Sequence, residues 1–356
     1  MRARDRDGGG VTMDALSEVL RVVRLSSAVF FNARFSAPWS FASPDASAVM
    51  ETLHPGAERL VIFHLLTEGQ CRVEVEGCPP RTLQPGDVIV FPHGDAHLMS
   101  SGADVPPAPP VDLPALLRRG PREMRYGGDG EVTRFICGYL SCDPRLCRPI
   151  LTALPRVLTV SLRGREEPGW LELSIRYAVA EAAAARAGGA GVLAKLSEVL
   201  FVETLRRYME QLPSGQTGWL AGVRDRTVGK ALALMHARPA QAWTVETLAR
   251  ECNVSRSVLA ERFTHFVGQS PMHYLTRWRL ALAAGMLRTS SLSLSHVAQD
   301  VGYETDPAFS RAFRREFGIP PAAWRGQKRR VNAGQEATLP RAPVALGRSG
   351  PMSSFL

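Results

Sequence analysis

Apolar residues along the chain follow two different periods, and the change of period divides it. From about residue 27 to residue 101 they come in short runs, RLVIFHLL, CRVEVEG and GDVIVFP, separated by glycine, proline and aspartate. In CRVEVEG, Val73 and Val75 alternate with charged neighbours, the two-residue period of a half-buried strand. Residues 102–130 are rich in proline and glycine and read as a long loop. Strand character returns in VTRFICGYL, residues 132–140. This part is therefore expected to be an all-β unit of several short strands, a barrel or a sandwich. An amphipathic helix over residues 14–25 precedes it, with Leu16, Val19, Leu20 and Val23 at helical spacing.

Helical periodicity takes over near Trp170. In VLAKLSEVLFVETLRRYMEQL, residues 192–212, Leu193, Leu196, Val199 and Leu200 are expected on one side, and Phe201, Leu205, Tyr208 and Leu212 on another. A helix apolar on two sides must bury both. Either both pack within the chain, or one meets a partner and makes a homodimer. PSGQTG, residues 213–218, then reads as a linker.

Beyond the linker the chain nearly repeats itself. TVETLARECNVSRSVLAERFTHFVGQSP, residues 244–271, is followed by SLSHVAQDVGYETDPAFSRAFRREFGIPP, residues 293–321. Leu248 and Ala249 match Val297 and Ala298; Phe263, Gly268 and Pro271 match Phe313, Gly318 and Pro321. Each copy reads as helix, tight turn, helix. Ser255 is the expected N-cap of the second helix in the first copy. In the second copy Gly302 sits at the turn, Asp306 is the expected N-cap, and Pro307 the first helical residue. Small Ala249 and Ala298 let the paired helices lie close. The pattern is a helix-turn-helix, twice.

At 100° per residue, Phe309, Phe313 and Phe317 span about 80° of one face. Arg311 lies almost opposite, flanked by Arg314 and Arg315. In the first copy Leu259, Phe263 and Phe266 face inward, and Ser257, Glu261 and Thr264 face outward, with Ala260 at the margin. Glu261 takes the place of Arg311. An arginine can fork onto guanine O6 and N7, whereas a carboxylate accepts from cytosine N4 and is repelled by phosphates.

Charge decides what those arginines are for. Residues 222–330 hold 17 lysines and arginines against 8 acids, while residues 1–221 hold 24 against 25. The whole net charge of +9 thus sits in the repeat region, which points to a polyanion. No run of about 18 uncharged apolar residues occurs, so no membrane span is expected. MRARDRDGGG is not a secretory leader, and a cytoplasmic location is the expectation. The six cysteines form no CxxC pair and read as free thiols.

On these residues the C-terminal part, 226–325, resembles the DNA-binding domain of AraC-type transcription regulators. The match rests on the two helix-turn-helix copies, the connecting SPMHYLTRWRLALAAGMLRTS, the VGYETDPAFSRAFRREFG segment and PPAAWR. The resemblance implies two recognition helices in successive major grooves of promoter DNA, with RNA polymerase as a further partner. Ser257, Ala260 and Glu261, then Asp306, Ser310 and Arg311, are the base-facing candidates it implies. Glu261 departs from the basic residue often found there. Thr264, Arg314 and Arg315 complete the candidate DNA-binding set.

GDVIVFPHGDAH, with Gly86, Pro92, Gly94 and His97, is similar to the second cupin motif and to the sensor domain of one AraC-type subgroup. FHLLTEGQC and RFICGYLSCD extend that likeness. Enzymatic cupins supply two histidines and a glutamate from a first motif, and here Ile62 stands where the glutamate would be. The chain is therefore expected not to be an enzyme and to carry no cofactor. His64, Cys71, His93, His97 and Cys137 are candidates to line a ligand pocket for a small molecule or oxidant. A metal held by His64 and His97 stays open, as does the alternative of a metal-dependent cupin enzyme fused to a DNA-binding domain.

The expected fold is α+β and multidomain. A cupin-like barrel over 14–160 leads into a helical connector over 161–221. An all-α domain over 222–330 follows, with helix-turn-helix motifs at 244–267 and 293–317. Residues 1–13 and 331–356 are expected to be disordered ends.

Overall fold

A computed structural model describes residues 14–22, 31–106 except 55, 124–162, scattered positions from 173 to 186, and 187–326 except 214. The expectations for residues 1–13, for most of the 102–130 loop and for 331–356 fall outside these. The chain divides into two compact units, residues 1–282 and 283–356.

The first unit opens with helix α1 (Ala15–Val22), followed by strands β1 (Phe31–Ser36) and β2 (Ser40–Ser43) and the one-turn helix α2 (Met50–Leu53). Next come β3 (Leu60–Glu68), β4 (Cys71–Glu74), β5 (Arg81–Leu83), β6 (Asp87–Phe91) and β7 (His97–Ser100). The β region closes with β8 (Met124–Gly127), β9 (Val132–Ser141), α3 (Pro144–Leu151) and β10 (Leu158–Ser161). Two sheets form, one ordered β10-β6-β3-β9-β1-β8 and one ordered β2-β7-β4-β5. All pairings are antiparallel except β1 with β8.

The near-continuous apolar run of β3 is explained by burial on both faces. Val61, Phe63 and Leu65 belong to a cluster shared with the helices, while Leu66 points into the space between the sheets. Val88 and Val90 separate from Ile89 and Phe91 in the same way on β6. The inner space is filled: Phe35, Trp39, Phe91, Phe135, Leu66, Leu83 and Ile89 are among the largest fully buried side chains.

Two expectations need correction here. The segment read wholly as loop contains β8, whose Ala33–Met124 and Phe35–Tyr126 pairs lie in parallel register with β1. Four residues that end in one glycine and run into another carry too little pattern to announce a strand. The connector helix α4 (Gly189–Gln211) also buries one continuous stripe rather than two separate sides. Leu193, Ser197, Leu200, Phe201, Thr204, Leu205 and Met209 are all buried. At 100° per residue they form one wide face that runs from Leu200 through Phe201 and Leu205 to Met209, about 180° across. Val192 and Val199 are exposed instead. The buried hydroxyls cost nothing extra, because Ser197 and Thr204 donate to the carbonyls of Leu193 and Leu200 four residues back.

The first unit continues with α5 (Trp219–Arg224), α6 (Arg226–Ala237), α7 (Val245–Glu251) and α8 (Arg256–Val267). The first helix-turn-helix thus shares its compact unit with the β region. Ala15, Leu16 and Val19 of α1 are buried, and α1 packs against α6. Helix α9 (Pro271–Thr289) runs on into the second unit, which holds α10 (Leu294–Asp300), α11 (Asp306–Phe317) and a last helical turn over 321–326.

Candidate DNA-binding face and sensor site

In the first copy, Thr244 starts α7 with a capping box: its hydroxyl accepts from Thr247 N–H at 3.1 Å, and the Thr247 hydroxyl accepts from Thr244 N–H at 2.8 Å. The turn is made by Asn253, held at φ 57°, and closed by Val254 N–H donating to the Ala249 carbonyl at 3.0 Å. Ser255 caps α8 as expected, accepting from Val258 N–H. Leu259 and Phe263 are fully buried, which turns the opposite face outward.

On that face Ser257, Glu261 and Thr264 are exposed and Ala260 is half-buried. Ser257 is drawn toward the cap, its hydroxyl 3.0 Å from that of Ser255. The two arginines of α8 are both committed. Arg256 pairs with Glu246 at 2.9 Å, and Arg262 pairs with Asp225, which also caps α6. Sequence reasoning passed over Asp225 and Arg262, and over Val258, which is exposed on the outward side.

The second copy repeats the turn with a glycine. Gly302 stands at φ 86°, and Tyr303 N–H donates to the Ala298 carbonyl at 2.8 Å. The cap is Thr305 rather than Asp306: its hydroxyl accepts from Ala308 N–H, so Asp306 and Pro307 are the first two helical residues. Proline is tolerated at the second as well as the first position, since no N–H of the first turn has an intrahelical partner. Asp306 is thereby free to accept from the Ser295 hydroxyl on α10.

Phe309 and Phe313 are fully buried, and Phe313 and Phe317 pack on Trp324 with ring centroids 5.6 and 5.0 Å apart. Trp324 Nε1–H donates to the Ala284 carbonyl. Arg311, Arg314 and Arg315 are exposed, and no described residue pairs with them. Ser310 is half-buried beside them. The two copies share a backbone, but they differ in charge: the second offers three uncommitted guanidinium groups, and the first offers a carboxylate.

In the β region, His64 on β3 and His97 on β7 come together, with their Nε2 atoms 2.9 Å apart. His97 lies stacked on Phe91, the ring centroids 3.8 Å apart. Burial drives both imidazoles toward the neutral form: His97 is lowered to about 4, and His64 well below its ordinary value, with His97 as a second cause. The tautomers follow. His97 Nδ1 lies 2.9 Å from the Asp95 carbonyl, which can only accept, so Nδ1 carries the proton. His97 Nε2 is then the acceptor and His64 Nε2–H the donor. His64 Nδ1 is left buried without a partner.

Cys137 is the cross-strand partner of His64 and packs with the inner cluster, to which Cys71 belongs. Burial pushes Cys71 up and Cys137 up to about 12, so both are thiols rather than thiolates. His93 does not join them. Its Nε2–H donates to the Leu154 carbonyl, and its Nδ1 accepts from Arg59 at 3.2 Å.

In this arrangement the two imidazoles are hydrogen-bonded to each other. Two tetrahedral imidazole ligands stand about 3.3 Å apart around a zinc ion, and further ligands must complete the set. His64 and His97 instead share a proton at hydrogen-bond distance. Among the described residues no group of three or more His, Cys, Asp or Glu is placed to hold a metal ion.

Comparison with known proteins agrees with this two-part construction. A family model described as cupin matches residues 14–210, and one described as a helix-turn-helix domain matches residues 248–327. A Streptomyces lividans protein described as an AraC-like transcription regulator is 34% identical over 76% of this chain and 88% of its own length. The HTH-type transcriptional regulator AlkR of Acinetobacter baylyi is 28% identical over 88% of this chain and 100% of its own. The RCS-specific HTH-type transcriptional activator RclR of Escherichia coli K12 is 27% identical over 90% and 99%.

Proposed function

The chain belongs to the AraC-like transcription regulators with an N-terminal cupin domain, and on that premise we propose how it reads DNA and receives its signal. Helix α11 lies in the major groove of double-stranded promoter DNA, where Arg311 forks onto a guanine and Arg314 and Arg315 hold phosphates. Helix α8 makes the weaker contact, because Glu261 faces the duplex while Arg256 and Arg262 are held by acids. The observation that carries this reading is the trio of uncommitted arginines opposite a face anchored by Phe309 and Phe313.

The cupin domain receives a small molecule. RclR is described as RCS-specific, but that specificity is its own. In this chain the protonated state of Cys71 and Cys137 disfavours direct attack on an oxidant, since the thiolate is the nucleophile. The signal reaches the first helix-turn-helix through α1, which packs on α6, and through α4, which packs on β10 and α5. Exposed Val192 and Val199, two turns apart on α4, are covered by a second copy of the chain. The regulator acts in the cytoplasm, with RNA polymerase as its further partner.

Selection of bound sequences from a random duplex pool, followed by footprinting, tests this function. Expected is one recurrent site with protection in two successive major grooves. Uniform protection without sequence preference would overturn it.

A further inference from the structure

Among the described residues, six large apolar side chains are exposed, and only Val258, at 41%, stands in a recognition helix. It is the third residue of α8. A β-branched residue lowers helix propensity, and this one is not buried, so neither the helix nor the core explains it. By the match of Phe263 with Phe313, the same position in the second copy holds the smaller Ala308.

The polar side chains around Val258 are already engaged. The Ser255 hydroxyl accepts from Val258 N–H and lies 3.0 Å from the hydroxyl of Ser257. Arg256 pairs with Glu246 at 2.9 Å, and Arg262, one turn further on and on the same side, is held by Asp225. These are the two basic residues of α8 other than histidine, so its first turns hold out no unpaired guanidinium to a phosphate. Val258 lies about 60° round the helix from Glu261, whose carboxylate repels phosphates. This side of α8 is therefore unsuited to gripping the backbone, and what it contributes is made at base edges. The first residues of a recognition helix are the ones that reach those edges in the major groove. The apolar group displayed there is the C5-methyl of thymine.

We propose that Val258 reads the methyl group of one thymine in the part of the site bound by α8. Its two methyls close over the C5-methyl and remove it from water, a contact that needs neither charge nor hydrogen bond. The two helices then read DNA by different chemistry: a guanidinium on guanine under α11, and an apolar side chain on thymine under α8. The inference rests on the regulator reading, which supplies the specific site.

The test is a uracil scan of the selected site with the full chain. Each thymine is replaced in turn by uracil, which pairs identically and lacks only the methyl, and affinities are measured for the wild type and Val258→Ala. Expected is one position, outside the half in which Arg311→Ala ceases to discriminate, where uracil weakens the wild type about fourfold, the worth of one buried carbon. Val258→Ala should bind thymine and uracil there equally. Alanine is the better helix former, and an unchanged circular dichroism spectrum with intact discrimination in the α11 half shows that the variant is folded. A site whose thymines can all be replaced without loss, or a Val258→Ala chain that still prefers thymine at that position, would overturn the assignment. So would sensitivity confined to the α11 half. Selection that returns no preferred site would overturn the regulator reading and this assignment with it, an outcome distinct from a specific site indifferent to uracil.

Discussion

His64 donates through Nε2–H to Nε2 of His97 at 2.9 Å, and neither ring carries a charge. The residues are 33 positions apart and are brought together by β3 and β7 facing each other across the barrel.

This pair makes stability depend on pH in a defined direction. Between about 6.5 and about 4, the unfolded chain binds a proton at His97 that the folded chain refuses. Its contribution is therefore complete above pH 6.5 and is lost as pH falls toward 4. For His97 alone the effect is on the order of 3 kcal/mol. Buried His236, lowered to about 3, acts in the same sense. Urea midpoints should be level from pH 8 to 7 and fall below 6.5, with a shallower fall in His97→Gln. A midpoint that stays level down to pH 4.5 would contradict the neutral pair.

Asp225 links two helices of the first motif. Its Oδ1 accepts from Thr227 and Val228 N–H at the start of α6, and its Oδ2 receives Arg262 of α8. Asp225→Ala should cost about 1 kcal/mol for the lost cap, read from urea unfolding. It should also release Arg262 and raise the affinity for non-specific DNA at low salt. Unchanged stability would mean that the cap is not formed in solution.

Val199 tests the covering of α4. At 44% exposure it does not hold the fold, so Val199→Glu should leave the circular dichroism spectrum unchanged. Sedimentation should then show the wild type as a dimer and the variant as a monomer. A monomeric wild type, or a variant that remains dimeric, would place the homodimer elsewhere or remove it.

The helix-turn-helix pair was legible because local chemistry writes it. Ser255, Gly302 and the phenylalanines at four-residue spacing each act within a turn or two of themselves. The choice between Thr305 and Asp306 as cap was not legible, since both can accept from the first turn. It is settled by Ser295, which holds Asp306. The division of α4 was misjudged because a stripe read from the helix alone has no edge, and the sheet beneath sets its width. The motif around Gly86 and His97 pointed to the barrel, and His64 was a candidate to line the same pocket. His93 follows β6 in the same motif as His97, but Arg59 and the Leu154 carbonyl fix it outside the pair.

The central claim is that the two recognition helices contribute unequally, and one comparison tests it. The affinities of the wild type, Arg311→Ala and Glu261→Ala for the selected site, and for that site with single base changes, are measured at fixed salt. Arg311→Ala should lose roughly 1–3 kcal/mol and cease to discriminate at one base pair within the α11 half. Glu261→Ala should bind at least as tightly as the wild type, because it removes a negative charge from the DNA-facing side. An Arg311→Ala chain with unchanged affinity and specificity, or a Glu261→Ala chain that loses more than Arg311→Ala, would contradict the account.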